Sequence, residues 1–361
     1  MAGFASFSCV LLISSVLLAS YACASEVELD YASIPIETGL SWDFHDSSCP
    51  KLESIIRKEL KKIFKKDIGQ AAGLLRVHFH DCFVQVTDSH TGCDSSVLLD
   101  GSASRPSEQD APPNVFLRAK AFEIIDDLRE LVHKKCGRVV SCSDITALAA
   151  RDSVFLSGGP DYEVPLGRRD GLSFATQEAT LQNLPSPQNN TAILIDALAL
   201  KNLDATDLVA LSGGHTIGLA HCSAFIERLY PTQDPTMDKS FAADLKKDVC
   251  PTTDSNNTTV EDIRTPDKFD NKYYVNLVNR QGLFTSDQDL YTDSRTKDIV
   301  TSFAVNEHLF FEQFAKSMIK MGQLTVLTGN AGEIRANCSV RNADNVKLIK
   351  TVVEEEEAAE L

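Results

Sequence analysis

The sequence predicts a mainly α-helical protein whose long loops are cross-linked by disulfides. In three segments the apolar residues recur at the three- and four-residue spacing of one helix face. These are Leu52, Ile55, Ile56, Leu60 and Ile63; Phe122, Ile125, Leu128, Leu131 and Val132; and the stretch from about Ser143 to Leu156. Alternating runs typical of strands are few and short, and proline- and glycine-rich stretches at 158–165 and 184–190 predict long loops.

The first 24 residues have the pattern of a secretory signal peptide. An apolar run, Val10–Ala19, precedes the small-residue cleavage pattern Ala22-Cys23-Ala24, although no basic residue stands before the run. The run is too short to span a bilayer, and no other apolar stretch is long enough. We therefore expect an exported protein that does not span a membrane, with an N-terminal extension at 25–39 before the folded domain.

Cysteine usage supports export. Removal of Cys9 and Cys23 with the signal leaves an even set: Cys49, Cys82, Cys93, Cys136, Cys142, Cys222, Cys250 and Cys338. An even number behind a signal peptide predicts four disulfides formed in an oxidising compartment. Metal binding is the competing use of cysteines, but the sequence contains no CxxC pair to support it. Spacing alone does not decide which cysteines pair with each other. N-glycosylation sequons begin at Asn189, Asn256, Asn257 and Asn337.

The charge balance narrows the range of partners. The 361-residue chain has a formal net charge of −16, which argues against nucleic acid and anionic membrane surfaces as ligands. The acidity favours neutral or cationic small substrates only weakly, because acidic surfaces most often serve solubility. The tail at 346–361 is largely apolar and then acidic; it is either a solvated terminus or a sorting propeptide.

The segment 74–82, Leu-Leu-Arg-Val-His-Phe-His-Asp-Cys, is the most informative motif. On a helix, Arg76 and His80 lie four residues apart on one face, which Phe79 borders. His78 lies about 200° away from His80, which argues against a zinc-binding His pair. A cation beside an imidazole suits chemistry in which one group moves a proton and the other stabilises negative charge. A purely structural Arg–His pair is an equally good interpretation of this motif alone.

The second motif is Leu-Ser-Gly-Gly-His-Thr-Ile-Gly at 211–218. Asp204 is expected to cap a preceding helix, with Asp207 in its first turn. His215 then lies just beyond the end of this helix, where glycines allow a bulky group to approach. A histidine at such a position is also commonly an ordinary core residue, so this motif alone decides nothing.

Taken together, these two segments resemble the active-site motifs of the plant secretory haem peroxidases, known as class III. The similarity continues through the segments 139–144, 149–153, 164–170 and 269–274, and it covers roughly residues 40–342 in order. The resemblance implies the mainly α haem peroxidase fold over 40–345. In that fold a distal and a proximal helical domain enclose haem b.

The resemblance also implies roles for individual residues. His215 would be the axial iron ligand, and Asp287 would accept its other ring N–H and make the imidazole more anionic. His80 would act as the acid/base toward H2O2, Arg76 would stabilise charge as the O–O bond breaks, and Asn114 would hold His80. Three further residues are placed near them: Phe79 at the haem edge, Glu108 in support of Asn114, and Pro185 beside the exposed edge where donors bind.

Two calcium ions and the disulfide pairing follow from the same resemblance. The proximal set is Thr216, Asp262, Thr265, Asp270 and the Lys268 carbonyl. The distal set is Asp81, Asp94, Ser96 and the carbonyls of Val84 and Gly92, with Glu108 counted beside it. The implied pairs are Cys49–Cys136, Cys82–Cys93, Cys142–Cys338 and Cys222–Cys250, and Asp144 is expected to form a buried ion pair with Arg168.

One departure from the family pattern affects the distal side. Six residues, Val86–Thr91, are inserted between Cys82 and Cys93 in the calcium loop, either as a true insertion or through an error in the coding sequence. Loop entropy tolerates the insertion, since doubling a closed loop costs only about 0.6 kcal/mol. Calcium geometry is less tolerant, so the distal ion is less certain than the proximal one. A smaller departure lengthens the stretch between Asn114 and Phe122 by one residue.

Three functions remain open on this basis. The leading one is a secreted peroxidase that reduces H2O2 and oxidises small phenolic donors in one-electron steps. The second is a haem-binding protein whose catalysis is weakened by the Val86–Thr91 insertion, and the third is a haem-free secreted binding or structural protein. A monomer in the cell wall is expected, with the tail leaving the vacuole possible. The sequence does not identify the physiological electron donor.

Overall fold

The computed structural model describes residues 34–84, 92–102 and 106–345. Within these ranges the chain is mainly helical, as predicted. The α-helices are α1 (Leu52–Phe64), α2 (Gln70–Val84), α3 (Ala119–Cys136), α4 (Cys142–Leu156), α5 (Gln177–Asn183), α6 (Thr191–Ala199), α7 (Ala205–Ser212), α8 (Lys239–Asp244), α9 (Lys272–Val278), α10 (Thr285–Thr292), α11 (Lys297–Val305) and α12 (Glu307–Met321). The strands are β1 (Leu219–His221) and β2 (Thr258–Val260). The signal peptide, most of the extension at 25–39, the insertion and the tail from residue 346 lie outside the described residues.

Helices α1 to α4 pack together around one half of the core. In α1 the predicted face is buried at Leu52, Ile56 and Leu60, while Ile55 and Ile63 are half-buried at its margin. Helices α2 and α4 are buried on nearly all sides and pack on each other, as expected for helices that lack a polar face. This burial fixes the orientation of α2, which carries the Arg76–His80 motif.

The second half of the core forms where α7, α9, α11 and α12 meet. Buried aromatic rings fill it, with Phe310 stacked on Phe269 at a centroid distance of 5.7 Å and edge-on to Tyr274 at 4.9 Å. Such pairs add about 0.5–1.5 kcal/mol beyond the burial of their surface. Among the described residues, no helix is both long and apolar enough to cross a membrane.

A short two-stranded sheet follows the Gly-Gly-His motif. Strands β1 and β2 are antiparallel, with Leu219 opposite Val260 and His221 opposite Thr258. The backbone N–H of Glu261 donates to the Gly218 carbonyl at 3.1 Å, which extends the pairing toward His215. The strands therefore bring the 258–262 stretch alongside the segment that contains His215.

Four disulfides and one buried ion pair connect the loops to this core. The disulfides are Cys49–Cys136, Cys82–Cys93, Cys142–Cys338 and Cys222–Cys250, the pairs that the family resemblance implies. Arg168 donates to Asp144 at 3.1 Å with both side chains buried, and Asp144 also accepts from the Gly167 backbone and faces His45. Hydrogen bonds on each oxygen offset the cost of burying this charge pair.

Candidate active site

Helix α2 places Arg76 and His80 on one face, as the motif predicts. Arg76 Nε donates to His80 Nε2 at 3.1 Å, and His80 Nδ1 lies 2.6 Å from Asn114 Oδ1. Because a guanidinium can only donate, Nε2 is the acceptor, and the ring proton is on Nδ1, directed at Asn114. Burial, together with the charge of Arg76, lowers the pKa of His80 to about 3 against the opposing effect of Asn114. His80 is therefore neutral and able to accept a proton at Nε2.

Asn114 is oriented by the loop that precedes it. Its Nδ2 donates to the backbone carbonyl of Glu108 at 2.7 Å, which leaves Oδ1 facing His80. The Glu108 carboxylate is buried and accepts from the Ala175 backbone N–H at 2.6 Å. Glu108 thus supports Asn114 through its main chain, while its side chain anchors the loop that follows Arg168.

Phe79 borders the same face of α2. Its ring meets His80 edge-on at 5.2 Å and Phe83 at 4.7 Å, and it is partly buried. Arg76 also donates to the Pro113 carbonyl at 3.1 Å. The ring contacts restrict the rotamer of Phe79, and the hydrogen bonds restrict that of Arg76.

On the opposite side, α7 leads directly into the turn that carries His215. Asp204 caps α7 by accepting from Thr206 and Asp207, as predicted, and the turn Gly213–Thr216 follows the helix. Gly213 has no room for a side chain, since an added Cβ would lie 2.4 Å from the Tyr274 hydroxyl. The turn is thereby packed on the aromatic core, which fixes the position of His215.

His215 is paired with Asp287, as the resemblance implies. His215 Nδ1 lies 2.8 Å from Asp287 Oδ1, and Asp287 also accepts from the Tyr273 hydroxyl and the Phe284 N–H, each at 2.9 Å. Asp287 is buried, whereas 41% of the His215 side chain is exposed. Burial alone would lower the pKa of His215, but Asp287 raises it to about 9. The imidazole is therefore electron-rich on an open face, which suits a metal ligand.

Glu261 is a residue near His215 that the sequence motifs did not indicate. Its carboxyl, the ring of His215 and Asp287 offer ligand atoms that all lie within 4.8 Å of one another. Glu261 is buried, and burial together with Asp287 raises its pKa to about 8 despite the opposing charge of His215. The only sequence signal was its position next to Asp262, at the end of a polar strand.

The two histidine segments face each other across one cleft. A Cβ added to Gly214 would lie 3.6 Å from Leu75, and one added to Gly218 would lie 3.3 Å from Ala72, so α2 lies over the His215 turn. Arg76 is close enough to lower the pKa of His215. His215, backed by the Asp287 carboxylate, offers a ligand for haem iron on one side of the cleft. The Arg76–His80 pair on the other side fits a group that acts on a molecule bound to that iron.

The residues of the predicted proximal calcium set lie together. Thr216 Oγ1 lies 3.3 Å from Asp262 Oδ2 and 3.5 Å from the Lys268 carbonyl, and Thr265 Oγ1 lies 3.0 Å from Asp270 Oδ1. Asp262 and Asp270 are buried. Buried oxygens of this kind fit a hard cation such as Ca²⁺.

The described part of the distal set is also compact. The buried carboxylates of Asp81 and Asp94 accept from the backbone of Ser95 and Ser96, at 2.9 and 3.1 Å respectively. Burial and the nearby Asp94 raise the pKa of Asp81 well above its ordinary value. The buried Ser96 hydroxyl has no hydrogen-bond partner among the residues that the structure describes. Val84 and Gly92, the residues of the two predicted carbonyl ligands, stand at either end of the undescribed stretch 85–91.

Pro185 lies half-buried in the loop between α5 and α6. In the same loop the Pro187 carbonyl accepts from the Ser286 N–H at 3.0 Å, next to Asp287. The loop of the predicted donor edge is therefore tied to α10, the helix that supports His215.

Comparison with known proteins agrees with this geometry. The peroxidase family model matches residues 56–306. The chain is 65% identical over 311 residues to Peroxidase 12 of Arabidopsis thaliana, covering 86% of this chain and 85% of the relative. It is 57% identical over 325 residues to the cationic peroxidase SPC4 of Sorghum bicolor, covering 89% and 88%. It is also 44% identical over 319 residues to Peroxidase 5 of Vitis vinifera, covering 86% and 94%. The chain therefore belongs to the peroxidase family, as a plant class III haem peroxidase.

Proposed function

We propose that this enzyme reduces H2O2 to water with His80 as acid/base and Arg76 as charge stabiliser, and oxidises two phenolic donor molecules in one-electron steps. One observation carries the assignment of roles: His80 Nε2 is the acceptor beside Arg76 on one side, while Asp287 holds His215 on the other. The reaction balances as H2O2 plus two electrons and two protons, supplied by two donors, giving two molecules of water.

His80 would move one proton between the two oxygens of the peroxide. As a neutral base it takes the proton from one oxygen at Nε2 and returns it to the other as that oxygen leaves. Asn114 keeps Nδ1 protonated, so the exchange is confined to Nε2. Arg76 stabilises the negative charge that develops on the leaving oxygen.

His215 would hold one haem b through Nε2, with Asp287, Tyr273 and the Phe284 N–H forming the supporting hydrogen bonds. Haem supplies the iron at which the peroxide is reduced and the redox equivalents that the donors later restore. Phe79 packs beside it, and donors approach the edge near Pro185. Two Ca²⁺ ions would bind, at the proximal set around Asp262 and the distal set around Asp81.

The decisive experiment compares the wild type with His80→Ala. The purified wild type is expected to have a haem Soret band and to oxidise guaiacol only when H2O2 is present. His80→Ala should keep the Soret band and lose at least about 10²–10⁴-fold in the rate of reaction with peroxide. Normal turnover in His80→Ala would refute the assignment, and absence of haem from the wild type would favour a binding protein.

The comparisons favour the active enzyme over a weakened haem protein. The hydrogen bonds of Arg76, His80 and Asn114 are present on the described residues beside the insertion, as is the Cys82–Cys93 disulfide. Deletion of Val86–Thr91 is therefore expected to leave peroxidase activity within about threefold of the wild type. A large gain on deletion would revive the alternative.

We further propose that the chain is exported as a monomer and acts in the cell wall. The signal pattern at 1–24 and the disulfides support export. A fluorescent fusion placed after residue 24 tests the location, and removal of 346–361 tests whether the tail directs sorting to the vacuole.

A further inference from the structure

A cavity of about 280 Å³ lies where the two halves of the molecule meet. It is lined on one side by Ala72 of α2 and on the other by Gly218 and Leu219 of the segment that follows His215. Arg118, at the start of α3, lines it as well. Arg118 is the only basic residue among those that line this cavity in the described part of the chain, and Asp67 and Asp267 also border it.

The cavity lies next to the cleft between His80 and His215, because its walls come from the same two chain segments. Ala72, Arg76 and His80 follow one another at four-residue spacing, so they lie on one face of α2. Each step of four residues advances about 6 Å along the helix. On the opposite wall, Gly218 is three residues after His215. The cavity therefore lies beside the end of the cleft that is nearer the N-terminus of α2.

Gly73 of α2 and Gly69, which directly precedes that helix, leave the space for the Arg118 side chain. A Cβ added to Gly73 would lie 3.2 Å from Arg118 Cβ and 3.3 Å from its Cδ. A Cβ added to Gly69 would lie 3.1 Å from one terminal nitrogen of the guanidinium. A side chain at Gly73 would crowd the aliphatic stem of Arg118, and one at Gly69 would crowd its guanidinium, so both glycines help to hold the guanidinium at the cavity.

Arg118 stands at the N-cap position of α3 but does not cap the helix, and its ion pair with Asp67 is a long one. It is the N-cap residue of α3 and makes no side-chain capping bond, although this position favours Ser, Thr, Asn or Asp. Its nearest carboxylate oxygen belongs to Asp67 at 3.8 Å, beyond hydrogen-bond distance, and 35% of its side chain is exposed. Residues that break a local rule in this way are often found at functional sites.

We propose that Arg118 binds a carboxylate of the haem, and so determines how firmly the cofactor is held. This inference rests on the haem site of the proposed function. Haem b carries two propionate carboxylates, and the chain has a net charge of −16, so an anionic ligand needs a local cation. A guanidinium matches a carboxylate by two parallel hydrogen bonds, and such charge-assisted bonds are stronger than neutral ones.

The test uses a cofactor that lacks the proposed partner. Wild type and Arg118→Gln are each stripped of haem and reloaded with haem b or with haem dimethyl ester, whose carboxylates are esterified. The rate of haem transfer into excess apomyoglobin is followed at the Soret band. Lys120→Gln is the matched control, because it removes the positive charge of an exposed lysine two residues after Arg118.

Arg118→Gln should release haem b about tenfold faster than the wild type, equivalent to about 1.4 kcal/mol. The same substitution should change release of the dimethyl ester by less than twofold, and Lys120→Gln should leave both rates unchanged. The inference is overturned if Arg118→Gln releases both haems equally faster, which would mean a structural role, or releases haem b at the wild-type rate. Those outcomes leave the proposed function intact, whereas a wild type without a Soret band or peroxidase activity would remove it.

Discussion

The two sides of the cleft each present one histidine, and their surroundings are electrostatically opposite. Burial, together with the cation of Arg76 that it faces, lowers the pKa of His80 to about 3. His215 faces the carboxylate of Asp287, which raises its pKa to about 9. The same side chain is thus prepared as a neutral proton acceptor on one side and as an electron-rich ligand on the other. Burial and the partner of the ring, rather than the histidine itself, decide the role.

The two sides also differ in how they are anchored. The proximal residues Thr216, Asp262 and Asp270 form one compact oxygen cluster beside His215. On the distal side, helix α2 is described as far as Val84, two residues before the inserted stretch Val86–Thr91. The four predictions that follow test these differences in charge and anchoring between the two sides, in order of decreasing effect.

Arg76→Leu should have the largest effect, because it removes the cation that faces both His80 and the developing charge. We expect the rate of reaction with H2O2 to fall about 10²–10³-fold while haem remains bound. Stopped-flow absorbance measures this rate. Arg57→Leu, which removes an arginine paired with Asp152 outside the cleft, is the control and should leave the rate unchanged. A loss of less than tenfold in Arg76→Leu would contradict the role given to Arg76.

Asp287→Asn should come next, since it removes the charge behind His215 but keeps the side-chain shape. We expect the Fe(III)/Fe(II) reduction potential to rise and activity to fall about 10–100-fold. Spectroelectrochemistry measures the potential. Asp293→Asn, which changes a half-buried carboxylate paired with the exposed Arg295, serves as the control. An unchanged potential would show that Asp287 only positions the ring.

Asn114→Asp should give His80 a carboxylate partner, like the one that Asp287 provides for His215. His80 must be neutral to accept a proton, so the rate is high above its pKa and is lost as pH falls through about 3. A carboxylate at 114 would stabilise the imidazolium and raise this pKa, moving the acid limb upward by about one pH unit or more. A pH–rate profile of the peroxide reaction measures the limb. If it stays in place, Asn114 does not control the protonation of His80.

Calcium removal should have the smallest effect on rate and separates the two anchors. With Ca²⁺ at 100 times its Kd, each site contributes about 2.7 kcal/mol to the free energy of unfolding. We expect chelation to lower the free energy of unfolding. Asp94→Asn should also slow the peroxide reaction a few-fold, because Asp94 shares the predicted distal site with Asp81, which directly follows His80. Asp270→Asn should lower stability with a smaller effect on that rate. Denaturant unfolding with and without EDTA checks this, and equal behaviour of the two variants would contradict the comparison.

The contacts within single segments were predictable from the sequence. Helical spacing alone placed Arg76 and His80 on one face, and the capping role of Asp204 followed from its position before an apolar run. Both depend on residues within a few positions of each other, where backbone geometry fixes the distances. The family resemblance added the partners that lie far apart, such as Asp287, which is 72 residues from His215.

Only the tertiary structure decided the remaining details. The Glu108 carboxylate is bound by the Ala175 N–H while its carbonyl holds Asn114, Glu261 lies buried beside His215, and Arg118 lies against Gly69 and Gly73. None of these has a local pattern, because each depends on how separate chain segments pack against one another. The sequence by itself therefore determined the mainly helical class, the local pairs and the family, whereas the packing of the two halves decided which other charges surround the two histidines.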